Sequence, residues 1–270
     1  MDKEENIRII NDTLDIIDNG FYYFEGEERK LNLSKREMKK CFVFLPEDIE
    51  KKKSKRKKSS EEKKHNYSCE NIDSFSLAER EIKGGKEKIL VLNMASATNP
   101  GGNVRGGTKS QEEDLCRRST LLASLESSKG KKYYEYNRNL KSFLYSDSII
   151  VSPNVEVFKD EKGNPLKESF TVSVITCAAP NLKRQPLSAL GYENIMIKRI
   201  DGLLAVAEDM GYKNLILGAW GCGVFGGNPE IVSRAFRKEL DSYSGFDSAK
   251  FAILHKKENY EAFIKRFPPA

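Results

Sequence analysis

The sequence predicts an α/β fold, a sheet covered on both faces by helices and led by an N-terminal helix and hairpin. Three observations carry this prediction. From about residue 74 onward, short apolar runs alternate with longer runs of helical periodicity. A length of 270 residues suits one such domain with an added segment. Two glycine-rich loops each follow an apolar run and precede a helical one, the position from which α/β folds present backbone N–H groups to ligands.

Taken in order, residues 5–17 place Ile7, Ile10, Leu14 and Ile17 at three- and four-residue spacing on one helical face, and Asn19-Gly20 ends the run. Residues 21–24 and 30–33 flank a turn around Gly26 and read as a hairpin. Residues 51–64 hold nine Lys/Arg against two Glu, a local +7 that exceeds the whole chain's +6. That run reads as a solvated, mobile loop and leaves open a weak polyanion contact. Strands are expected at 89–92, 149–151, 155–158, 171–177, 215–219 and 251–254. Helices are expected at 111–125, 193–209, 229–240 and 260–266, with a turn over 160–165. The natural division is an N-terminal accessory segment, 1–75, and a main α/β domain, 76–270. The segment is expected to pack on the domain and help shape its cleft.

Composition excludes several chemistries. The five cysteines (Cys41, Cys69, Cys116, Cys177, Cys222) are scattered and odd in number, which argues against a disulfide framework or a zinc site. With only His65 and His255, there is little basis for Ser-His or Cys-His nucleophiles or for imidazole metal ligands. No metal and no cofactor are expected. No basic n-region and no apolar run of about 18 residues is present, so the expectation is an intracellular, cytoplasmic protein without membrane contact, nuclear if the source is eukaryotic.

The later loop, Gly221-Cys222-Gly223-Val224-Phe225-Gly226-Gly227, contains a G-x-G-x-x-G between an apolar strand and the helix opening at Pro229. A dinucleotide fold would carry that fingerprint in its first βαβ unit, and here it comes near the end of the chain. A phosphate cradle survives the objection, with Phe225 either stacked on a ligand base or ribose or anchored in the core. Cys222 lacks a histidine partner and is set aside as a nucleophile. The earlier loop runs from Asn93 through Asn99-Pro100-Gly101-Gly102-Asn103 to Gln111-Glu112-Glu113, so a strand, a polar glycine loop and two first-turn carboxylates fall in one corner.

Pro100-Gly101-Gly102 followed after a spacer by Gln111-Glu112-Glu113 resembles the signature of poly(ADP-ribose) glycohydrolases, and the runs LNMASATNPGG, QEEDLCRRSTL, ITCAAPN and LGAWGCGVFGGNP resemble the microbial type in that order. The N-terminal INDTLDIIDNGFYY is also similar, so the likeness spans nearly the whole chain apart from 51–64. The resemblance implies a macrodomain, a three-layer α/β/α sandwich around a mixed sheet, binding ADP-ribose at the strand ends. It implies Glu113 as catalytic acid and Glu112 as the neighbouring carboxylate that contacts ribose. Substrate binding is then expected from Asn93, Asn99, Gly101, Gly102, Asn103 and Gln111, and from Gly221, Gly223, Val224, Phe225 and Gly226. Asn103 stands where the family signature has a third glycine, which puts a side chain where backbone would approach the substrate.

Adjacent helical residues point about 100° apart, so Glu112 and Glu113 are not expected to flank one bond as an opposed acid and base. Glu113 alone is expected to protonate the departing ribose 2′-oxygen, with its pKa raised when substrate covers it. The expected partners are poly(ADP-ribose) or ADP-ribosylated macromolecules, with ADP-ribose as product and the protein a monomer. Hydrolysis of single ADP-ribose modifications and non-catalytic ADP-ribose binding stay open as alternatives.

Overall fold

The computed structural model describes residues 2–55, 66–254 and 256–269. The N-terminal helix α1 (Lys3–Asn19) starts where Asp2 accepts the Glu5 N–H at 2.8 Å and stops at Gly20, φ +81°. Strands β1 (Phe21–Phe24) and β2 (Glu27–Lys30) form the hairpin. The second strand lies earlier than the 30–33 expected. Glu25 and Gly26, both at positive φ, make a two-residue turn that pairs Phe24 with Glu27. The apolar Leu31 and Leu33, which suggested the later strand, pack instead on Ile16, Ile17 and Phe158.

The chain continues through α2 (Lys35–Met38), β3 (Phe42–Phe44), α3 (Pro46–Lys55), β4 (Asn66–Glu70), α4 (Ser74–Lys83) and β5 (Ile89–Met94). A 3-10 turn, Val104–Gly106, leads to α5 (Gln111–Arg118), α6 (Leu121–Leu125) and α7 (Lys131–Asn139). The long strands β6 (Ile149–Lys159) and β7 (Pro165–Cys177) follow, then α8 (Ala189–Asp209), β8 (Asn214–Leu217), α9 (Pro229–Leu240), β9 (Ser248–Ala252) and α10 (Lys257–Ile264).

Seven strands form one mixed sheet in the order β3-β6-β7-β5-β8-β9-β4. From β7 to β4 all neighbours are parallel, whereas β6 runs antiparallel to both β7 and β3. On β5, Leu90 and Leu92 enter one core with α8, α9 and α10, and Ile89 and Val91 enter the other with α4, α5, α6 and α7. The result is a three-layer α/β/α sandwich. Continuous apolar runs such as Ile89-Leu90-Val91-Leu92 are what a strand covered on both faces requires. Among the described residues, no helix is long and apolar enough to cross a membrane.

Four further features differ from the sequence reading. The helix expected over 111–125 breaks at Ser119, which is extended (φ −151°, ψ 177°) and bridges Val157. There Thr120 N–H donates to Glu156 O and Glu156 N–H to Thr120 Oγ1, both at 3.0 Å, so contact with β6 outcompetes one further helical turn. The two strands expected at 149–151 and 155–158 are one, carried past Pro153 by a shift in register between Ser152 and Val155. Residues 51–55, expected in a loop, complete α3, which has acidic residues in its first turn and basic ones in its last. Lys52 pairs with Asp209 and Lys53 with Asp201 on α8; the rest of the basic run, 56–64, lies outside the described residues. Finally, β3 and β4 form the two edges of the sheet, so the segment before residue 76 is built into the domain from both sides.

Candidate active site

Because β7, β5, β8 and β9 are parallel, the loops that follow β5, β7 and β8 rise at one edge of the sheet. At the centre of that edge, the first turn of α5 lies against the end of β5. Gln111 fixes this packing. Its Oε1 accepts the Met94 N–H at 2.9 Å, and its Nε2 donates to Leu92 O at 2.7 Å and to Ser74 Oγ at 3.2 Å. Expected to meet substrate, the Gln111 amide is committed to the backbone of β5 and acts as a brace.

Glu112 points into the protein and is 3% exposed. Its Oε2 accepts the Ser96 N–H at 2.6 Å, and Asn93 Nδ2 lies 3.5 Å from Oε1. Burial pushes this carboxyl up to about 8, opposed by the N–H donors of Ser96 and Gly101 and reinforced by the charge of Glu113. Asn93, also expected to bind substrate, is fully buried behind Glu112 and donates to Thr176 Oγ1 at 3.1 Å.

Glu113 turns toward the glycine loop, where its Oε1 accepts the Asn103 N–H at 3.0 Å. Gly102, φ +61°, sits directly over both carboxylates: a Cβ there would overlap Glu113 Oε1 and lie 3.1 Å from Glu112 Oε2. The two glutamates therefore converge beneath one peptide despite their divergent helical directions. Gly101, φ +68°, is packed so closely that a Cβ would meet Leu122 Cδ1 at 2.7 Å. Asn99 is exposed, and its carbonyl accepts the Gly102 N–H at 3.0 Å.

Asn103, unlike Gly101 and Gly102, does not adopt a positive φ. Its φ is −114°, and its side chain turns away from the carboxylates, donating from Nδ2 to Thr108 Oγ1 at 2.9 Å beside Gly106. The departure from glycine is accommodated by the 3-10 turn.

The second loop joins β8 to α9 beside this corner, and Gly218 approaches the Met94 side chain at the end of β5. It folds by internal bonds, Cys222 N–H to Ala219 O at 3.0 Å and Gly227 N–H to Gly221 O at 2.9 Å. Gly221, φ +80°, lies where a Cβ would be 2.7 Å from Ala179 Cβ. The amides of Gly223, Val224 and Phe225 have no acceptor among the described residues, and they lie ahead of the α9 N-terminus. Val224 is 66% exposed, and Gly226, φ +77°, borders the Lys183 side chain. Phe225 is half-buried, with its ring centroid 6.0 Å from that of Tyr145. Burial raises the Cys222 thiol to about 12, which removes it as a nucleophile.

The family model of the microbial-type PARG (poly(ADP-ribose) glycohydrolase) catalytic domain matches residues 11–160. The chain belongs to this family. Among solved structures, poly(ADP-ribose) glycohydrolase from Thermomonospora curvata superposes with a TM-score of 0.92 at 28% identity, covering 98% of this chain and 100% of that one. The same enzyme bound to the inhibitor ADP-HPD gives a TM-score of 0.90. The Deinococcus radiodurans enzyme in complex with ADP-ribose gives 0.78 at 33% identity, covering 88% of this chain and 98% of that one. No curated protein matches the chain by sequence.

In this microbial-type PARG, part of the site was invisible in the sequence. Arg199, almost fully buried on α8, donates to Asp147 Oδ1 at 3.0 Å and to the carbonyls of Leu144, Tyr145 and Ala178 at 2.6, 3.0 and 2.9 Å. It thereby fixes the loop that sets Tyr145, φ +60°, beside Phe225. Its one signal was a cation within the apolar run of α8. Among the described residues no group of three or more His, Cys, Asp or Glu side chains is placed to hold a metal ion.

Proposed function

We propose that this chain hydrolyses the ribose–ribose O-glycosidic bonds of poly(ADP-ribose), releasing ADP-ribose from chain ends, with Glu113 as its general acid. One observation carries the assignment: Glu113 is held on the glycine loop through Oε1 alone, and its other oxygen has no partner among the described residues. A carboxyl so anchored has one oxygen fixed by protein and one free to meet a reacting atom.

The diphosphate of the terminal ADP-ribose lies on the amides of Gly223, Val224 and Phe225, and Phe225 with Tyr145 supplies the apolar surface beside it. The ribose then sits over Gly101 and Gly102, and a side chain at Gly102 would displace the carboxylates. Glu113 transfers its proton to the departing 2′-oxygen as the C1″–O bond breaks, leaving an oxocarbenium-like ribose. Water adds at C1″ and returns a proton to the same carboxylate, which restores the acid. Burial favours the neutral form of Glu112, which shapes the floor beneath the ribose. One chain supplies both loops and both carboxylates, in keeping with a monomer.

The decisive experiment measures ADP-ribose released from purified poly(ADP-ribose) by the wild type and by Glu113→Gln. The substitution keeps size and polarity but cannot deliver the proton, and a rate loss of about 10²- to 10⁴-fold is expected. A variant as active as the wild type would reassign the acid, and an inert wild type that still binds ADP-ribose would overturn the reading.

A further inference from the structure

Two polar side chains lie inside the apolar face of α1, and the chemistry above does not use them. Asn6 and Thr13, about two helical turns apart among Ile9, Ile10, Ile16 and Ile17, are both fully buried. A buried polar group costs stability unless it is hydrogen-bonded. Asn6 Nδ2 donates to Gly107 O at 3.0 Å, in the glycine loop, and Thr13 Oγ1 donates to Arg117 O, near the end of α5. Glu112 and Glu113 lie between those two anchors.

Lys159, fully buried on β6, sets the direction of the Thr13 bond. Its ammonium group has three donors, and three acceptors surround it: Ile9 O at 3.0 Å, Thr13 Oγ1 at 2.6 Å and Asp12 Oδ2 at 2.7 Å. The Thr13 oxygen therefore accepts from Lys159, and its own proton goes to a carbonyl. Ile9 O, 2.9 Å away, already accepts from Lys159. Arg117 O is nearer and lacks a helical donor, because Ser119 is extended and Leu121 N–H donates to Ser119 Oγ instead.

Such anchors matter because α5 holds itself poorly. It has eight residues, its N-cap Ser110 makes no side-chain bond, and its far end breaks at Ser119. Gln111 ties the first turn to β5, and α1 grips the segment before and after it. The loop half of the segment is coupled to the acid: Thr108 N–H donates to Asn103 O at 3.4 Å, and Asn103 N–H donates to Glu113. Arg117 Nη1 joins the two halves by donating to Thr108 O at 2.6 Å. Gly107, φ +77°, permits the close approach of α1, since a Cβ there would be 2.5 Å from Lys3 O. Asn6 reaches the loop with its Oδ1 buried and unpartnered among the described residues, a penalty that an apolar side chain of its size would not carry.

Resting on the glycohydrolase reading, we propose that Asn6 and Thr13 are positioning residues for the reaction: α1 grips Gly107 and Arg117 and so holds Glu113 in register with the glycine loop, while Lys159 orients the Thr13 hydroxyl. Both side chains are buried away from substrate and act through the backbone of the segment that carries the acid. The N-terminal helix is then needed for turnover and not for binding.

The test measures kcat and KM on poly(ADP-ribose), the Kd of ADP-ribose and the denaturation midpoint, with rates taken where each variant is folded. Thr13→Val removes the hydroxyl and keeps the shape, and Asn6→Leu removes the amide together with its unpartnered oxygen. Each is expected to lower kcat about tenfold, with KM and the ADP-ribose Kd within about twofold of the wild type. Thr13→Ser, which keeps the hydroxyl, should restore most of kcat, and Asn6→Leu should lose turnover without a lower midpoint, which a purely structural role would not produce. Ile10→Val loosens the packing of the same helix without touching either bond and should keep the wild-type kcat. Wild-type kcat in either Thr13→Val or Asn6→Leu, or a loss in Ile10→Val as large as theirs, would overturn the positioning role while the glycohydrolase reading stands. A wild type with no turnover of polymer would overturn the two together.

Discussion

The backbone N–H of Asn103 donates to Oε1 of Glu113 at 3.0 Å, and this bond ties the glycine loop to the helix that carries the acid. The position of the carboxyl thus depends on loop backbone, with Gly102 as the contact point between them.

Gly102→Ala tests that dependence. At φ +61° an alanine carries a left-handed cost of about 1–2 kcal/mol, which a denaturant titration would register. Its methyl group also overlaps Glu113 Oε1 and crowds Glu112 Oε2, so the acid must move. We expect kcat to fall by about 10²-fold or more while ADP-ribose still binds. Unchanged turnover would mean that the Glu113 position is not set by this loop.

Asn103→Gly should behave in the opposite way. The Asn103 side chain bonds to Thr108 and faces away from Glu113, while the catalytic contact comes from its backbone N–H, which glycine also has. Loss of the Thr108 bond and the added freedom of glycine cost about 1–2 kcal/mol of stability. Turnover on polymer should stay within about twofold of the wild type, and a large gain in kcat would show that the asparagine obstructs the substrate after all.

How far the site was legible follows from the same residues. Gln111, Glu112 and Glu113 after a strand and a glycine loop are conspicuous as residue types, and their corner is where the sequence places it. Which way each side chain faces is a tertiary outcome. Asn93 and Gln111 look like ligand-binding residues, yet one is buried behind Glu112 and the other closes the end of β5. Arg199 and Tyr145 are brought to the site by contacts between α8 and the loop before β6, which no local pattern encodes. The break at Ser119 was hidden by unbroken helical periodicity, and the edge strands β3 and β4 are only three and five residues long, too short to register beside a dense run of lysines.

The buried carboxyl of Glu112 predicts a pH dependence of stability. Its group is raised from about 4.5 to about 8 by burial. Between those values the folded protein binds the proton and the unfolded chain does not, so stability falls as pH rises through this window and levels off above about 8. Glu112→Gln imitates the protonated form and removes this slope. Melting temperatures taken from pH 5 to pH 8.5 should diverge, the variant gaining on the wild type as pH increases. Parallel curves would show that Glu112 is ionised in the folded protein at neutral pH.

Arg199 makes the strongest prediction about residues that act at a distance. Its guanidinium satisfies the carbonyls of Leu144, Tyr145 and Ala178 and pairs with Asp147, all from a nearly fully buried position on α8. Arg199→Met fills a similar volume but leaves three carbonyls without their donor, and Asp147 keeps only Lys198, at 2.7 Å. Breaking a buried ionic network in this way costs about 3–5 kcal/mol, measurable as a shift in the denaturation midpoint. Tyr145, held at φ +60°, then loses the anchor that keeps it beside Phe225. Titration calorimetry under conditions where the variant is folded should accordingly show ADP-ribose binding weakened by about tenfold, an effect of order 1.4 kcal/mol. A destabilised variant with wild-type affinity would separate the two roles, leaving Arg199 as a core residue and placing the ligand surface on the second glycine loop alone.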